Sequence, residues 1–88
     1  MTRILLGLRS KIVRQGLAAL FRDSRDLTVV GETGDGREVV RLARQFSPDV
    51  VVLSATMSVL NAVDATRRVC TEIPGLRVVM LGGEHGDR

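Results

Sequence analysis

Ser47-Pro48-Asp49-Val50-Val51-Val52-Leu53 is the stretch from which the architecture follows. Its proline keeps the preceding serine out of helical backbone angles, so any helix before it ends there. The residues after Asp49 are all apolar, and three of the four are β-branched valines. A run like this has no solvent side. It reads as a strand buried on both faces, the interior strand of a parallel sheet covered by helices.

Working back from it, Val39, Leu42, Ala43 and Phe46 recur at i, i+3, i+4 and i+7, while Arg37, Glu38, Arg41 and Arg44 lie off that stripe. This is an amphipathic helix, entered through the turn Gly34-Asp35-Gly36 with Asp35 as its N-cap. Leu27 to Glu32 is a second strand centred on Val29 and Val30. Before that, Ser10 caps a helix whose apolar stripe is expected at Val13, Leu17, Leu20 and Phe21. Gly16 inside it costs about 1 kcal/mol against alanine, which suggests close packing there. Arg3-Ile4-Leu5-Leu6-Gly7 is the first strand.

Working forward, Ser54 to Leu60 is a loop, and a helix from Asn61 to Glu72 is expected to bury Val63, Val69, Cys70 and Ile73. Pro74-Gly75 stops it, and Arg77-Val78-Val79-Met80-Leu81 is the fourth strand. The segment 1–82 thus reads as one domain of order βαβαβαβ with right-handed crossovers. Residues 83–88 read as a polar, glycine-rich and mobile tail.

Composition narrows the function. A chain of 88 residues fits one small domain. Its hydrophobic content of 44% is too high for disorder. Phe21 and Phe46 are the sole aromatics, so the core must be valine, leucine, isoleucine and alanine. No apolar run approaches a membrane span, and no secretory leader is evident, so a cytoplasmic protein is expected. The net charge of +3 comes from interleaved signs, as in Arg22-Asp23-Ser24-Arg25-Asp26. With no tyrosine or tryptophan to stack on bases, direct nucleic-acid contact by this segment is not expected. Cys70 is alone and reads as a packing residue. His85 has no companion ligand for a metal, and Gly31-Glu32-Thr33-Gly34-Asp35-Gly36 lacks the lysine of a phosphate-binding loop. No cofactor is implied. Without a cluster of acid, base and nucleophile, an enzyme is the least expected class.

Taken together, Ile4-Leu5-Leu6 with Val13-Arg14-Gln15-Gly16-Leu17, Val29-Val30-Gly31-Glu32 with Gly34-Asp35-Gly36, Pro48 to Leu53, Asp64-Ala65-Thr66-Arg67-Arg68 and Arg77 to Leu81 resemble one family in order and spacing. It is the receiver domain of NarL/FixJ (LuxR-type) response regulators. The resemblance implies a three-layer α/β fold, flavodoxin- or CheY-like, with strand order 2-1-3-4 and truncation after the fourth strand. It also implies a phosphorylation site at the carboxyl ends of the strands, where open α/β sheets bind ligands. In the family, an acid pair after the first strand holds Mg²⁺, and a carboxylate after the third accepts the phosphoryl group. A hydroxyl and a lysine after the fourth and fifth strands hold the transferred group.

Here the acid pair falls on Leu8 and Arg9, the acceptor on Ser54 and the hydroxyl on Gly82, while the lysine position lies beyond Arg88. Mg²⁺ requires hard oxygen donors, and Arg9 would repel it. Asp49 is no substitute, since five strand residues place it about 16 Å away, at the other end of the sheet. The resemblance therefore implies a degenerate pocket and a phosphorylation-independent regulator of transcription. Whether the pocket is unused, fixed in one state or open to another anion is left undecided. A chain ending after the fourth strand leaves that strand as a sheet edge, so a homodimer is expected. Its candidate surface is Arg14, Leu17, Ala18 and Phe21 on the first helix with Val78, Val79, Met80 and Leu81 on the fourth strand. A longer parent chain would carry a helix-turn-helix DNA-binding domain. Two rivals are a sensor of a small anionic metabolite and a stand-alone connector that binds a kinase or another regulator.

Overall fold

The computed structural model describes residues 1–54 and 62–81. Their elements run β1 (Thr2–Gly7), α1 (Lys11–Arg22), β2 (Leu27–Thr33), α2 (Gly36–Phe46), β3 (Val50–Ser54), α3 (Ala62–Glu72) and β4 (Arg77–Leu81). The strands form one parallel sheet of order β2-β1-β3-β4. The receiver-like architecture with strand order 2-1-3-4 expected above is the one observed among the described residues. Gly82 and the segment 83–88 lie outside the described residues.

Alternation along the two interior strands divides the core. Leu5, Val51 and Leu53 meet Val39, Val40 and Ala43 of α2 and Ala65 and Val69 of α3 on one face. Ile4, Leu6 and Val52 meet Ala18 of α1 on the other, with Leu17 and Phe21 packed alongside. Since β1 and β3 are covered from both sides, they have no face left for polar side chains, which explains the apolar runs. Where β1 pairs with β2, Ile4 lies opposite Val29 but Leu5 lies opposite Gly31, so Val30 is an extra residue that bulges the edge strand. Gly31 fits closely there: a Cβ would meet Leu5 Cδ1 at 3.2 Å beneath the Phe46 ring, so a side chain would require Leu5 to shift.

Both N-caps form as read. Ser10 Oγ accepts from the Val13 amide at 3.2 Å, and Asp35 Oδ1 accepts from the Arg37 amide at 2.8 Å. Ser47 closes α2 in the left-handed region at φ 46°, with its amide donating to Ala43 O. The amino ends of the strands converge on Asp49. Its carboxylate accepts from the Arg3 amide at 2.8 Å, its amide donates to Arg3 O, and its carbonyl accepts from the Arg77 amide. Asp49 therefore sits at the end of the sheet opposite Leu8 and Ser54, as its distance along the strand required.

Two helices differ from their expected faces. In α1, Val13 and Leu20 point to solvent, and the inward set is Arg14, Leu17, Ala18 and Phe21. The reason is that α1 is apolar on two sides, and the inward phase is the one that gives Arg14 its partners. Gly16 is exposed with nothing within 4 Å of a built Cβ, so no close packing among the described residues explains it. In α3, Ala65 and Val69 are buried while Cys70 is exposed. A stripe at i and i+4 is enough for a helix lying over the sheet margin. Asn61 and the side chain of Val63 are outside the described residues.

Candidate functional site

Parallel register brings the ends of β1 and β3 together. Gly7 pairs with Leu53, so Leu8 and Ser54 are the next residues of two neighbouring strands. Leu8 is 1% exposed and belongs to the core beneath α1, with its amide bonded to Thr33 O at 3.0 Å. Arg9 follows it onto the surface, and Ser54 is half-buried. Three of the four positions singled out in the sequence thus meet at one end of the sheet. The fourth, Gly82, is outside the described residues.

The donor chemistry of this cluster does not suit a hard cation. An aliphatic side chain turned into the core, a guanidinium at the surface and a hydroxyl offer no carboxylate, and a divalent ion of the Mg²⁺ type is held by several oxygens. No cluster of three or more histidine, cysteine, aspartate or glutamate side chains placed to hold a metal occurs among the described residues.

What shapes this end of the molecule is Arg14. From the inward side of α1 its Nη1 donates to Leu8 O at 2.7 Å and to Arg9 O at 3.4 Å. Its Nε is buried and lies 3.4 Å from Glu32 Oε1 on β2, close enough for an ion pair but without hydrogen-bond geometry. The guanidinium occupies the space above Gly34, where a Cβ would come within 2.6 Å of Nη1. One side chain therefore ties the β1–α1 turn to β2 and to the β2–α2 turn. The sequence held a signal for this. Arg14 shares the i, i+3, i+4 and i+7 phase of Leu17, Ala18 and Phe21, and an arginine on a core phase needs acceptors.

The same geometry alters the expected contact surface. Arg14 is 16% exposed in its side chain, Ala18 is buried, and Leu17 and Phe21 are half-buried, packed against the core. The four lie on the sheet-facing side of the helix, with Arg14, Leu17 and Phe21 still partly exposed. On β4, Val78 is packed against the α2–α3 side while Val79, Met80 and Leu81 are exposed. A groove lined by Met1, Ala18, Arg22, Arg25, Leu27 and Val29 lies along the other end of α1, away from Leu8 and Ser54. No helix of the described residues is long and apolar enough to cross a membrane.

Known proteins agree with this geometry. LiaR of Bacillus subtilis, a transcriptional regulatory protein, is 38% identical over 81 residues, 92% of this chain and 38% of LiaR. The chain thus spans little more than a third of that relative. A match to a Myxococcus xanthus protein-glutamate methylesterase, 40% identical, covers 22% of that enzyme. Among solved structures, a LuxR-family two-component response regulator from Aurantimonas superposes with a TM-score of 0.86 at 30% identity, over 93% of this chain and 59% of the other. The signal receiver domain of a putative response regulator NarL from Mycobacterium tuberculosis gives 0.86 at 25% identity, over 92% and 65%. The model of the response regulator receiver domain matches residues 10–88, and with the parallel sheet of order 2-1-3-4 this leaves one conclusion: the chain belongs to the response regulator receiver domain family.

Proposed function

We propose that this chain is a phosphorylation-independent receiver module of a cytoplasmic transcriptional regulator, acting through protein contacts that include a second copy of itself. The observation that carries the reading is the cluster at the ends of β1 and β3, where a buried Leu8, an exposed Arg9 and Ser54 stand in neighbouring positions. A phosphoryl group is transferred to an in-line nucleophile with its charge neutralised by a metal and cations. Ser54 is an alcohol, a weaker in-line acceptor at neutral pH than a carboxylate, and Leu8 and Arg9 supply no metal ligand. Regulation then rests on which surfaces the fold presents. The likeness to LiaR, a transcriptional regulatory protein, supports placing the module in that setting.

Incubation with acetyl phosphate and Mg²⁺, followed by intact-mass analysis, tests the reading. No mass gain is expected under conditions in which a receiver domain that has an acid pair after its first strand and an aspartate acceptor after its third is phosphorylated as the positive control. Magnesium-dependent gain of one phosphoryl mass, lost in Ser54→Ala, would overturn it.

A further inference from the structure

The signs that alternate along Arg22-Asp23-Ser24-Arg25-Asp26 are separated in space. A groove of about 380 Å³ runs between the C-terminal half of α1 and β2, and Arg22, Ser24 and Arg25 line it while Asp23 and Asp26 do not. Neither arginine has a carboxylate within ion-pair distance among the described residues, whereas Arg14, Arg41 and Arg44 each have one. Arg22, in the last turn of α1, also complements the helix dipole, but Arg25 lies past the helix end and has no such role. The floor beside them is apolar, made by Ala18, Leu27 and Val29. Glu32 stands at the far end, five strand residues and roughly 15 Å beyond Leu27. The groove lies at the β2 margin of the sheet, with β4 at the opposite margin.

We propose that this groove binds a small anionic amphiphile, a carboxylate head on an apolar chain. The head sits between Arg22 and Arg25, and the chain lies along Ala18, Leu27 and Val29. Each guanidinium offers a fork of donors that matches a carboxylate. Ser24 adds a third donor, since its Oγ accepts from the Asp26 amide at 3.2 Å and keeps its own proton to give. None of the three is spent on a described acceptor. Charge complementarity therefore selects an anion. The floor selects the chain behind it, because a bare hydrated anion would leave Leu27 and Val29 uncovered. Glu32 fixes the direction: it repels an anion at its own end, so the head lies at the Arg25 end. A space of this volume suits one small molecule. Both arginines are exposed, so their ion pairs are screened and the affinity is modest. The groove is remote from Leu8 and Ser54, so the proposal stands apart from whether that cluster accepts a phosphoryl group.

The test is an amide-resolved NMR titration of the full chain with sodium octanoate. Saturable shifts are expected at Ala18, Ser24, Leu27 and Val29 and not at Gly7 or Val39. Acetate, which is the head without the chain, binds at least about tenfold more weakly, as the loss of several buried CH₂ groups requires. Octylammonium, the same chain with the opposite charge, is weaker by at least about tenfold as well. Arg22→Gln with Arg25→Gln raises the octanoate Kd at least about fivefold. Arg41→Gln with Arg44→Gln removes the same charge from α2 and leaves the Kd within about twofold, since distant surface charges are screened. All four side chains are exposed, so circular dichroism of both double variants matches the parent. Acetate binding as tightly as octanoate overturns the amphiphile, and equal losses in the two double variants overturn the site. So do shifts centred on Ile12 and Leu20, which would place octanoate on the other side of α1. The absence of any saturable shift below the concentration at which octanoate forms micelles overturns the proposal as a whole.

Discussion

The helices α1 and α2 are near-equal in length and pack on opposite faces of the same sheet, yet their outer surfaces have opposite character. Outward on α2 are Arg37, Glu38, Arg41, Arg44 and Gln45. Arg41 grips Glu38 through Nε at 3.1 Å and Nη2 at 2.5 Å, and Arg44 makes a two-pronged pair with Glu72 of α3. Outward on α1 are Ile12, Val13, Gly16, Ala19 and Leu20, flanked by Lys11, Gln15 and Arg22. One arginine differs as well: those of α2 and Arg22 of α1 face water, whereas Arg14 of α1 is turned inward. A helix whose outer surface is charged and a helix whose outer surface carries an apolar stripe, on one small domain, teach that the two faces of the sheet are finished differently.

The largest expected effect separates buried from exposed apolar positions near the start of each helix. Val39→Asp puts an unpaired charge in the α2 core and costs about 3–5 kcal/mol, enough to unfold a domain of this size. Ile12→Asp, at an exposed position, stays within about 0.5 kcal/mol of the parent. Urea denaturation of the two variants decides it. A large loss at Ile12 would mean that the outer face of α1 is covered within the folded monomer.

Next comes the inward arginine. Arg14→Ala removes the donor to Leu8 O and costs about 1–3 kcal/mol. Gly34→Ala forces a methyl group against Nη1 and costs roughly 1–3 kcal/mol while Arg14 is present. With Arg14 removed, the same alanine is expected to be nearly neutral, since Gly34 shows no left-handed φ. A double-mutant cycle reads the coupling. Additive losses would show that the guanidinium does not fill that space. Arg41→Ala on α2 serves as the solvent-facing control and changes little.

The contrast also explains how far the sequence could be read. In α2 one stripe alone is apolar, so period and phase are both legible, and Val39, Ala43 and the Asp35 cap fall where the pattern sets them. In α1, apolar residues occupy two sides, so the period is legible and the phase is not. Hydropathy alone cannot rank Val13 and Leu20 against Leu17 and Ala18. The deciding fact is tertiary: Arg14 finds the Leu8 carbonyl and Glu32, residues brought together only by the pairing of β1 with β2. The parallel sheet was legible from the alternation of elements with short connections, whereas the order 2-1-3-4 and the meeting of Leu8, Arg9 and Ser54 were legible only through the family resemblance. The exposure of Cys70 was not, because it depends on how far α3 extends past the covered sheet.

The C-terminal ends of the two helices offer a smaller test with opposite signs. Ser47 ends α2 at φ 46°, where the Cβ of an L-residue is crowded, and Ser47→Gly is expected to gain about 0.5–1 kcal/mol after the glycine's own entropy cost. Asp23 ends α1 at φ −78°, in the ordinary right-handed region. There Asp23→Gly loses about 0.5–1 kcal/mol. Thermal melts of both variants at one concentration compare them directly, and a gain at both positions would refute the backbone explanation.

The smallest effect belongs to the solvent-facing pairs of α2. Hydrogen bonding to Arg41 lowers the carboxyl of Glu38 below its ordinary value, and hydrogen bonding to Arg44 does the same for Glu72, with Arg68 adding a weaker pull. Both folded carboxylates therefore bind protons more weakly than their unfolded counterparts, so the unfolded chain takes up protons first as pH falls. The stabilisation is complete above about pH 5 and is lost through the acid range below the ordinary carboxylate values. Because these groups sit in water, about 1 M salt should suppress most of it. Glu38→Gln with Glu72→Gln is expected to flatten part of the acid limb of the stability curve, while Ile12→Asp and Leu20→Glu leave the contribution of these two pairs in place. An acid limb unchanged by the double substitution would show that the charges of α2 only solvate its surface and do not hold it to α3.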